Sequence, residues 1–440
     1  MSTASRLAFR AVRALMNRVP PVRRLARGLH EAFVAERAFE LDWPELTPII
    51  ARMADVTGPI RLNLLLPGAS ARHVFGGAAT ALALFDALGK GAQLRILVTD
   101  EHVLEDIDLK RFDGWKVATL DDAHLGPAPL LVPMADRHSR SLPVHRNDRF
   151  IATAWWTAHH ARTLVRWQRE AFALANTARF VYLIQDYEPG FYPWSARWAL
   201  ADQTYTWGEE AIGVFNTAGL REYITVRHPP FSKAFDFEPV LHPDLAAYLP
   251  RGEQLRRRPQ LLIYGRPGVP RNAFSLIVQG LRAWAASDPR AAGWECLSLG
   301  ESHPDIVLGT PPGSDAALRL VSLGKVSLAK YARLMSESAV GIGLMISPHP
   351  SYPPLEMAAF GMRVLTNRFE GKSLSQVYAN IRELDIPSPE AIAGMLARWS
   401  LEYRQCVPAE WAAPASVSPL LRVGNPFSFA DELRKEWLDA

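Results

Sequence analysis

Short apolar runs of strand length alternate along this chain with longer stretches of helical character. Residues 60–67, Ile-Arg-Leu-Asn-Leu-Leu-Leu-Pro, are nearly continuous in apolar side chains and stop at Pro67-Gly68. Runs of this kind suit strands buried on both faces, as in a parallel sheet. Residues 78–88 follow as an apolar, helix-forming stretch, and 94–99 predict a second strand. Further strands are predicted at 130–133, 149–153 and 180–185, with a helix over 157–175 between the last two. A second series opens at 261–266. It continues as helix 272–286, strands 294–299 and 318–323, helix 327–337 with Ser327 as N-cap, strand 339–346, helix 355–360 and strand 363–367. Residues 427–438 predict one more helix. Alternation of strand and helix argues for doubly wound parallel sheets, and two such series argue for two α/β, Rossmann-like domains.

The segments predict five regions. Residues 1–57 are a basic helical segment, 58–230 the first domain and 260–400 the second. Residues 231–259 read as a linker, because prolines recur there and Arg256-Arg257-Arg258 is a basic cluster. Residues 401–440 are C-terminal helices that cross back to the first domain by analogy with two-domain proteins of this kind. A length of 440 residues fits two domains.

Charge changes the picture at one end only. Net charge is +4, but Arg6, Arg10, Arg13, Arg18, Arg23, Arg24 and Arg27 precede the first acid, Glu31. Apolar residues are interleaved with them, so residues 1–30 predict peripheral contact with an anionic membrane surface. No run reaches the ~18 apolar residues that a spanning helix needs. The expected location is the cytoplasm, against the inner face of the membrane. Two cysteines, Cys296 and Cys406, make no disulfide framework, and no Cys/His cluster has zinc spacing. The basic residues do not line a groove, which argues against nucleic acid as a partner.

The most informative stretch is 347–364. A predicted strand runs into Ser347-Pro348-His349-Pro350-Ser351-Tyr352-Pro353-Pro354, and a helix carrying Glu356 follows and ends at Gly361. Ligands of open α/β sheets bind at the carboxyl ends of strands, and helix N-termini attract diphosphate. The expectation is therefore a carboxylate, Glu356, in the first turn of a helix facing the ligand, with Tyr352 beside it.

Pro354-Leu355-Glu356-Met357-Ala358-Ala359-Phe360-Gly361 resembles the P-x-E-A-x-A-x-G signature of GT-B glycosyltransferases. Taken with 182–194, Tyr264-Gly265-Arg266-Pro267 and Arg271-Asn272-Ala273-Phe274, it is similar to the WsaF-type rhamnosyltransferases. The resemblance runs from about residue 60 to 380. It implies a GT-B fold with an interdomain cleft, and transfer of L-rhamnose from dTDP-L-rhamnose to a growing cell-surface polysaccharide. The sugar nucleotide would be a substrate, with no cofactor and no metal. A UDP- or GDP-hexose donor is one alternative; a non-catalytic glycan- or nucleotide-binding subunit is the other. Retaining members often carry a second glutamate eight residues earlier, where this chain has Pro348 followed by His349.

Without a metal, the donor diphosphate needs cations. Arg266, Arg271 and Lys325 follow predicted strands, where phosphate oxygens sit; arginine offers a planar fork and lysine a point charge. Gly76 and Gly77, after the first strand, would let backbone approach the donor closely. The acceptor, a glycan or lipid-linked oligosaccharide, is expected on the first domain at His73, Asp186, Glu188 and Trp194, because aromatic rings cover sugar faces and carboxylates take hydroxyls. Asp186, Lys325 and Glu356 are the candidate catalytic residues, with Asp186 or Glu188 as general base if the reaction inverts the anomeric centre. The Asp106-Ile107-Asp108 string and the adjacent His159-His160 are not read as metal ligands.

Overall fold

A computed structural model describes residues 43–54, 58–69, 76–101, 111–123, 128–174, 178–250, 256–406, 411 and 424–438. The Arg-rich segment, His73 and Asp106-Ile107-Asp108 lie outside these residues. The chain divides into two units, Met1–Thr47 and Pro48–Ala440. The described part of the first holds one short helical turn, Pro44–Leu46.

The second unit contains two large sheets. Ten strands precede residue 240: β1 Ile50–Met53, β2 Arg61–Leu66, β3 Gln93–Val98, β4 Lys116–Val117, β5 Leu130–Pro133, β6 Ser141–Val144, β7 Asp148–Ala152, β8 Phe180–Ile184, β9 Ala211–Asn216 and β10 Ala234–Phe237. Eight of them form one parallel sheet in the order β10-β9-β8-β7-β2-β3-β5-β4, while β1 pairs with β6. The later strands are β11 Arg258–Gly265, β12 Glu295–Gly300, β13 Ile306–Gly309, β14 Leu318–Gly324, β15 Ser338–Ile342, β16 Arg363–Asn367 and β17 Ile381–Leu384. Their order is β13-β14-β12-β11-β15-β16-β17, with only β13 antiparallel.

The apolar runs are explained by this layering. Helices cover both faces of each sheet, so successive residues of one strand enter different cores. Leu65 belongs to one layer of the first domain, and Leu64 and Leu66 to the other. In the second domain Leu261 and Ile263 pack on one side of β11 and Leu262 on the opposite side. Helix 274–287 lies against helix 389–405 on one face of that sheet.

Four sequence expectations need correction. The 231–259 stretch is not all linker: β10 extends the first sheet beside β9, because Phe235 and Phe237 are buried in the first-domain core. Residues 1–57 are not helical throughout, since β1 pairs with β6; and Arg257, in the basic cluster at 256–258, does not face solvent. It is buried, donates to the carbonyls of Met335, Ser338 and Phe360, and burial pushes its guanidinium down to about 10. Glu356 is in the second turn, because the helix begins at Tyr352, with prolines 353 and 354 already inside it. Proline suits the first helical turn, where its missing N–H has no partner to lose.

The last helix, Ala430–Leu438, packs on the first domain. Trp437 Nε1 donates to the Arg179 carbonyl at 2.8 Å, Arg434 donates to the carbonyls of Leu88 and Lys90, and Phe429 stacks on Phe235. Among the described residues no helix is long and apolar enough to cross a membrane.

Candidate active site

In each sheet the chain order reverses beside the strand that starts the domain. The reversal lies between β2 and β7 in the first domain and between β11 and β15 in the second. Crevices beyond the carboxyl ends of such strands are where open α/β sheets take ligands.

The predicted donor residues of the second domain follow its strand ends. Gly265 ends β11, and Arg266 follows it, exposed. Arg271 lies in the short helical turn Pro270–Asn272, with its guanidinium 4.2 Å above the Phe191 ring of the first domain. β14 ends at Gly324, whose φ of +61° lets the chain turn sharply, and Lys325 is exposed just beyond it. The loop after β15 carries Ser347 and His349, and Tyr352 opens the helix that follows. Burial pushes the Glu356 carboxyl up to about 7, offset by the Tyr331 hydroxyl that donates to it at 3.0 Å. Burial likewise lifts the Tyr352 hydroxyl to about 12. The Asn216 carboxamide, at the end of β9 in the first domain, lies 3.3 Å from that hydroxyl and 3.2 Å from His349 Nε2.

His349 occupies the stretch where the second family glutamate would stand. Burial drives its imidazole down to about 4; Asp186 pulls the other way, and Lys372 and Arg271 add to the lowering. Between about pH 6.5 and 4 the unfolded chain therefore binds a proton that the native ring refuses. The stability this ring contributes is present above pH 6.5 and lost as pH falls toward 4. Urea titrations at pH 7 and pH 5 should show His349→Gln losing roughly 2 kcal/mol less than the wild-type chain over that interval. Equal losses would show that His349 is not the group responsible.

The first-domain crevice is a cavity of about 430 Å³ bounded by Gly77, Asp100, Glu101, Thr153, Trp156 and Glu188, among others. Gly76 has a φ of +51° at the start of helix 77–88, and Gln185 donates to the Gly77 carbonyl at 3.0 Å. Glu188 accepts the Trp155 N–H at 2.5 Å. Burial pushes its carboxyl up to about 8, against the lowering by that hydrogen bond; Asp186 adds to the rise and Arg271 opposes it. Asp186, by contrast, faces the other domain: its carboxylate meets Arg271 Nε at 3.1 Å and accepts from the Ser347 hydroxyl.

Two predicted residues stand apart. Trp194 is 86% exposed and packs on Trp198 at 4.6 Å; it is not among the residues bounding the cavity. A proline-rich 3-10 turn at Glu188–Phe191 carries the chain outward before it. Arg266 extends into solvent beside Tyr264. Conversely, Lys372 was not apparent from the sequence. It sits in the turn after β16, where no strand-end motif marks it, and donates to the carbonyls of Met345 and His349 at 2.7 and 3.4 Å. Burial lowers its ammonium to about 7, against Asp186 and Glu383. Asn216 was equally silent, since a lone asparagine at a strand end has no pattern, and Ser347, although inside the segment 347–364, was given no role.

Backbone strain gathers here. Of the six described non-glycine residues with positive φ, four lie where the domains meet: Thr217, Ala273, Ser351 and Glu370. Glu370 pairs with Arg227 of the first domain across the cleft. Such outliers persist only where surrounding structure enforces them, and they concentrate at functional sites.

Two doubly wound domains, a cleft between their carboxyl strand ends and a last helix returning to the first domain define the GT-B architecture. The chain belongs to the WsaF family: its residues 61–218 match the WsaF N-terminal domain and residues 259–397 the WsaF C-terminal domain. It is similar to the O-antigen biosynthesis protein RfbC of Myxococcus xanthus, with 33% identity over 225 residues, half of this chain but only 15% of that protein. Solved structures similar in shape include WaaG, a glycosyltransferase involved in lipopolysaccharide biosynthesis, with TM-score 0.49 and 11% identity over 86% of this chain and 99% of that one. Sucrose-phosphate synthase from Thermosynechococcus elongatus has TM-score 0.47 and 12% identity, covering 81% of this chain and 92% of its own.

Proposed function

We propose that this protein transfers L-rhamnose from dTDP-L-rhamnose to a glycan acceptor in O-antigen-type polysaccharide synthesis, with no bound metal. The observation that carries the reading is the convergence of Arg271, Tyr352 and Glu356 at the carboxyl ends of β11 and β15. Glu356 would accept the ribose 3′-hydroxyl. Arg271, with Lys372 acting on the same His349 imidazole, would neutralise the diphosphate and the charge that builds on it as the sugar leaves, and Lys325, exposed beyond β14, would be a further cation for it. The acceptor would enter the first-domain cavity. There Glu188 is better suited than Asp186 to take a proton, because its carboxyl titrates near 8 whereas Asp186 is engaged by Arg271 and Ser347. Contact of residues 1–30 with the inner face of a membrane belongs to the same reading, and rests on their arginine-rich amphipathic pattern.

The test is calorimetric titration of the full chain, without added metal, with dTDP-rhamnose, UDP-glucose, GDP-mannose and the free nucleoside diphosphates. Micromolar binding of the dTDP compounds, weakened at least about tenfold in Glu356→Ala, is the expected result. Preference for a UDP or GDP compound would replace the donor, and no binding by any of them would remove the enzyme reading.

A further inference from the structure

The cation assigned above to the donor diphosphate already has an anion. Arg271 belongs to the second domain, and the carboxylate beside it, Asp186, follows β8 of the first. The Asp186 side chain is only 9% exposed, and its Oδ2 lies 3.1 Å from Arg271 Nε. That Nε–H is buried and yet makes no aligned hydrogen bond, so the pairing is electrostatic and imperfect. The other oxygen, Oδ1, accepts from the Ser347 hydroxyl of the second domain and from the Tyr187 N–H at 2.8 Å. His349 and Lys372, also from the second domain, feel the same negative charge. One first-domain carboxylate thus faces an arginine, a lysine, an imidazole and a hydroxyl from the opposite domain. That set of partners is what a phosphate oxygen takes.

We propose that Asp186 is a stand-in for the donor's phosphate: it occupies Arg271 and Ser347 while the cleft is empty and yields them when the diphosphate enters. The proposal rests on the nucleotide-sugar reading and adds a positioning role that the reading does not contain. The diphosphate and the carboxylate compete for the same largely buried guanidinium, and the greater charge of the diphosphate favours displacement of Asp186. The exchange is cheap because the Nε–H has no aligned partner to lose. The same contact draws the domains together before the donor arrives. Once displaced, Asp186 is free to turn to the first-domain side, where Glu188 already lies.

The consequence runs against the usual effect of mutating a site residue. Asp186→Asn keeps the size and removes the competing charge, so the full chain should bind free dTDP, UDP or GDP, whichever the wild type takes, about tenfold more tightly. The KM for the sugar nucleotide should fall with it, while kcat does not rise. Asp186→Glu, which restores the anion, should return affinity toward the wild-type value. Asp202→Asn is the control: it removes a first-domain carboxylate that accepts from the Tyr187 hydroxyl and pairs with His228 instead of Arg271, and it should change nucleotide affinity clearly less. Circular dichroism checks folding of each variant, and Asp186→Ser replaces the asparagine variant if that one does not fold. Unchanged or weaker binding in the charge-removed variant, with a wild type that binds, overturns the stand-in role and leaves the donor assignment intact. An equal tightening in Asp202→Asn overturns it as well, since general repulsion then explains the effect. A wild type that binds no nucleoside diphosphate removes the donor reading and this inference together.

Discussion

Arg271→Ala should lower kcat by about 10²–10³-fold, with a smaller rise in the KM for the sugar nucleotide. The asymmetry follows from when the charge appears. As the sugar leaves, negative charge grows on the diphosphate, so a cation placed there gains more in the transition state than in the ground state. The position of Arg271 is fixed from two sides. Its guanidinium lies on the Phe191 ring, and its carbonyl accepts the Ile346 N–H at 2.8 Å, which ties the turn after β11 to the loop after β15. Arg271→Lys keeps the charge and loses the planar fork, so it should fall between alanine and wild type. Steady-state kinetics with saturating acceptor make the measurement. A kcat loss smaller than about tenfold would move the phosphate assignment away from Arg271, toward Lys325 and Lys372.

The second large effect lies at the opposite end of the first sheet. Asp148 opens β7, buried with two arginines that open or cross the neighbouring strands. Arg61 forms a two-pronged pair with it at 2.6 and 2.8 Å, and Arg95 reaches it at 3.3 Å. Arg95 also donates to Asn63 and to the carbonyls of Ala123 and Pro143. Burial, with Arg61 adding to it, pushes the Arg95 guanidinium down to about 9, and Asp148 opposes that fall. One carboxylate therefore offsets two buried cations. Removing a partner from a buried pair costs about 3–5 kcal/mol, because the desolvated charge left behind has no compensation. Native proteins have only about 5–15 kcal/mol of stability in total. Asp148→Ala should accordingly drop the urea midpoint steeply at unchanged slope, or leave the chain unfolded on expression. A loss below about 1 kcal/mol would mean that the carbonyls of Ala123 and Pro143 suffice for both arginines.

These two effects differ in how far the sequence foretold them. Arg271 followed a predicted strand within a recognisable segment, so its place in the turn after β11 was legible. The Arg61–Arg95–Asp148 cluster was not, although its trace was present: Arg61 and Arg95 each interrupt an otherwise apolar strand run. A charged residue in such a run announces burial without naming its partner, and the partners here are 87 and 53 residues away.

The sequence by itself determined most of the alternation of strands and helices, though not β9 or helix 389–405, together with the two α/β domains and the loop–helix unit that carries Glu356. It could do so because these features depend on local periodicity and on residues adjacent in the chain. Strand ends were placed to within a few residues for the same reason; Ser338–Ile342 is shorter than the apolar run that predicted it, since that run continues into a buried loop. Tertiary structure alone decided which charges meet. Asp186 and Arg271 are 85 positions apart, Asn216 and His349 are 133 apart, and Lys372 reaches the cleft from a turn with no motif. It also turned Trp194 outward and drew β10 out of the predicted linker. The physical reason is common to all of them: burial and Coulomb interaction depend on distance in space, and at the joint between two domains that distance is set by packing that no local pattern encodes.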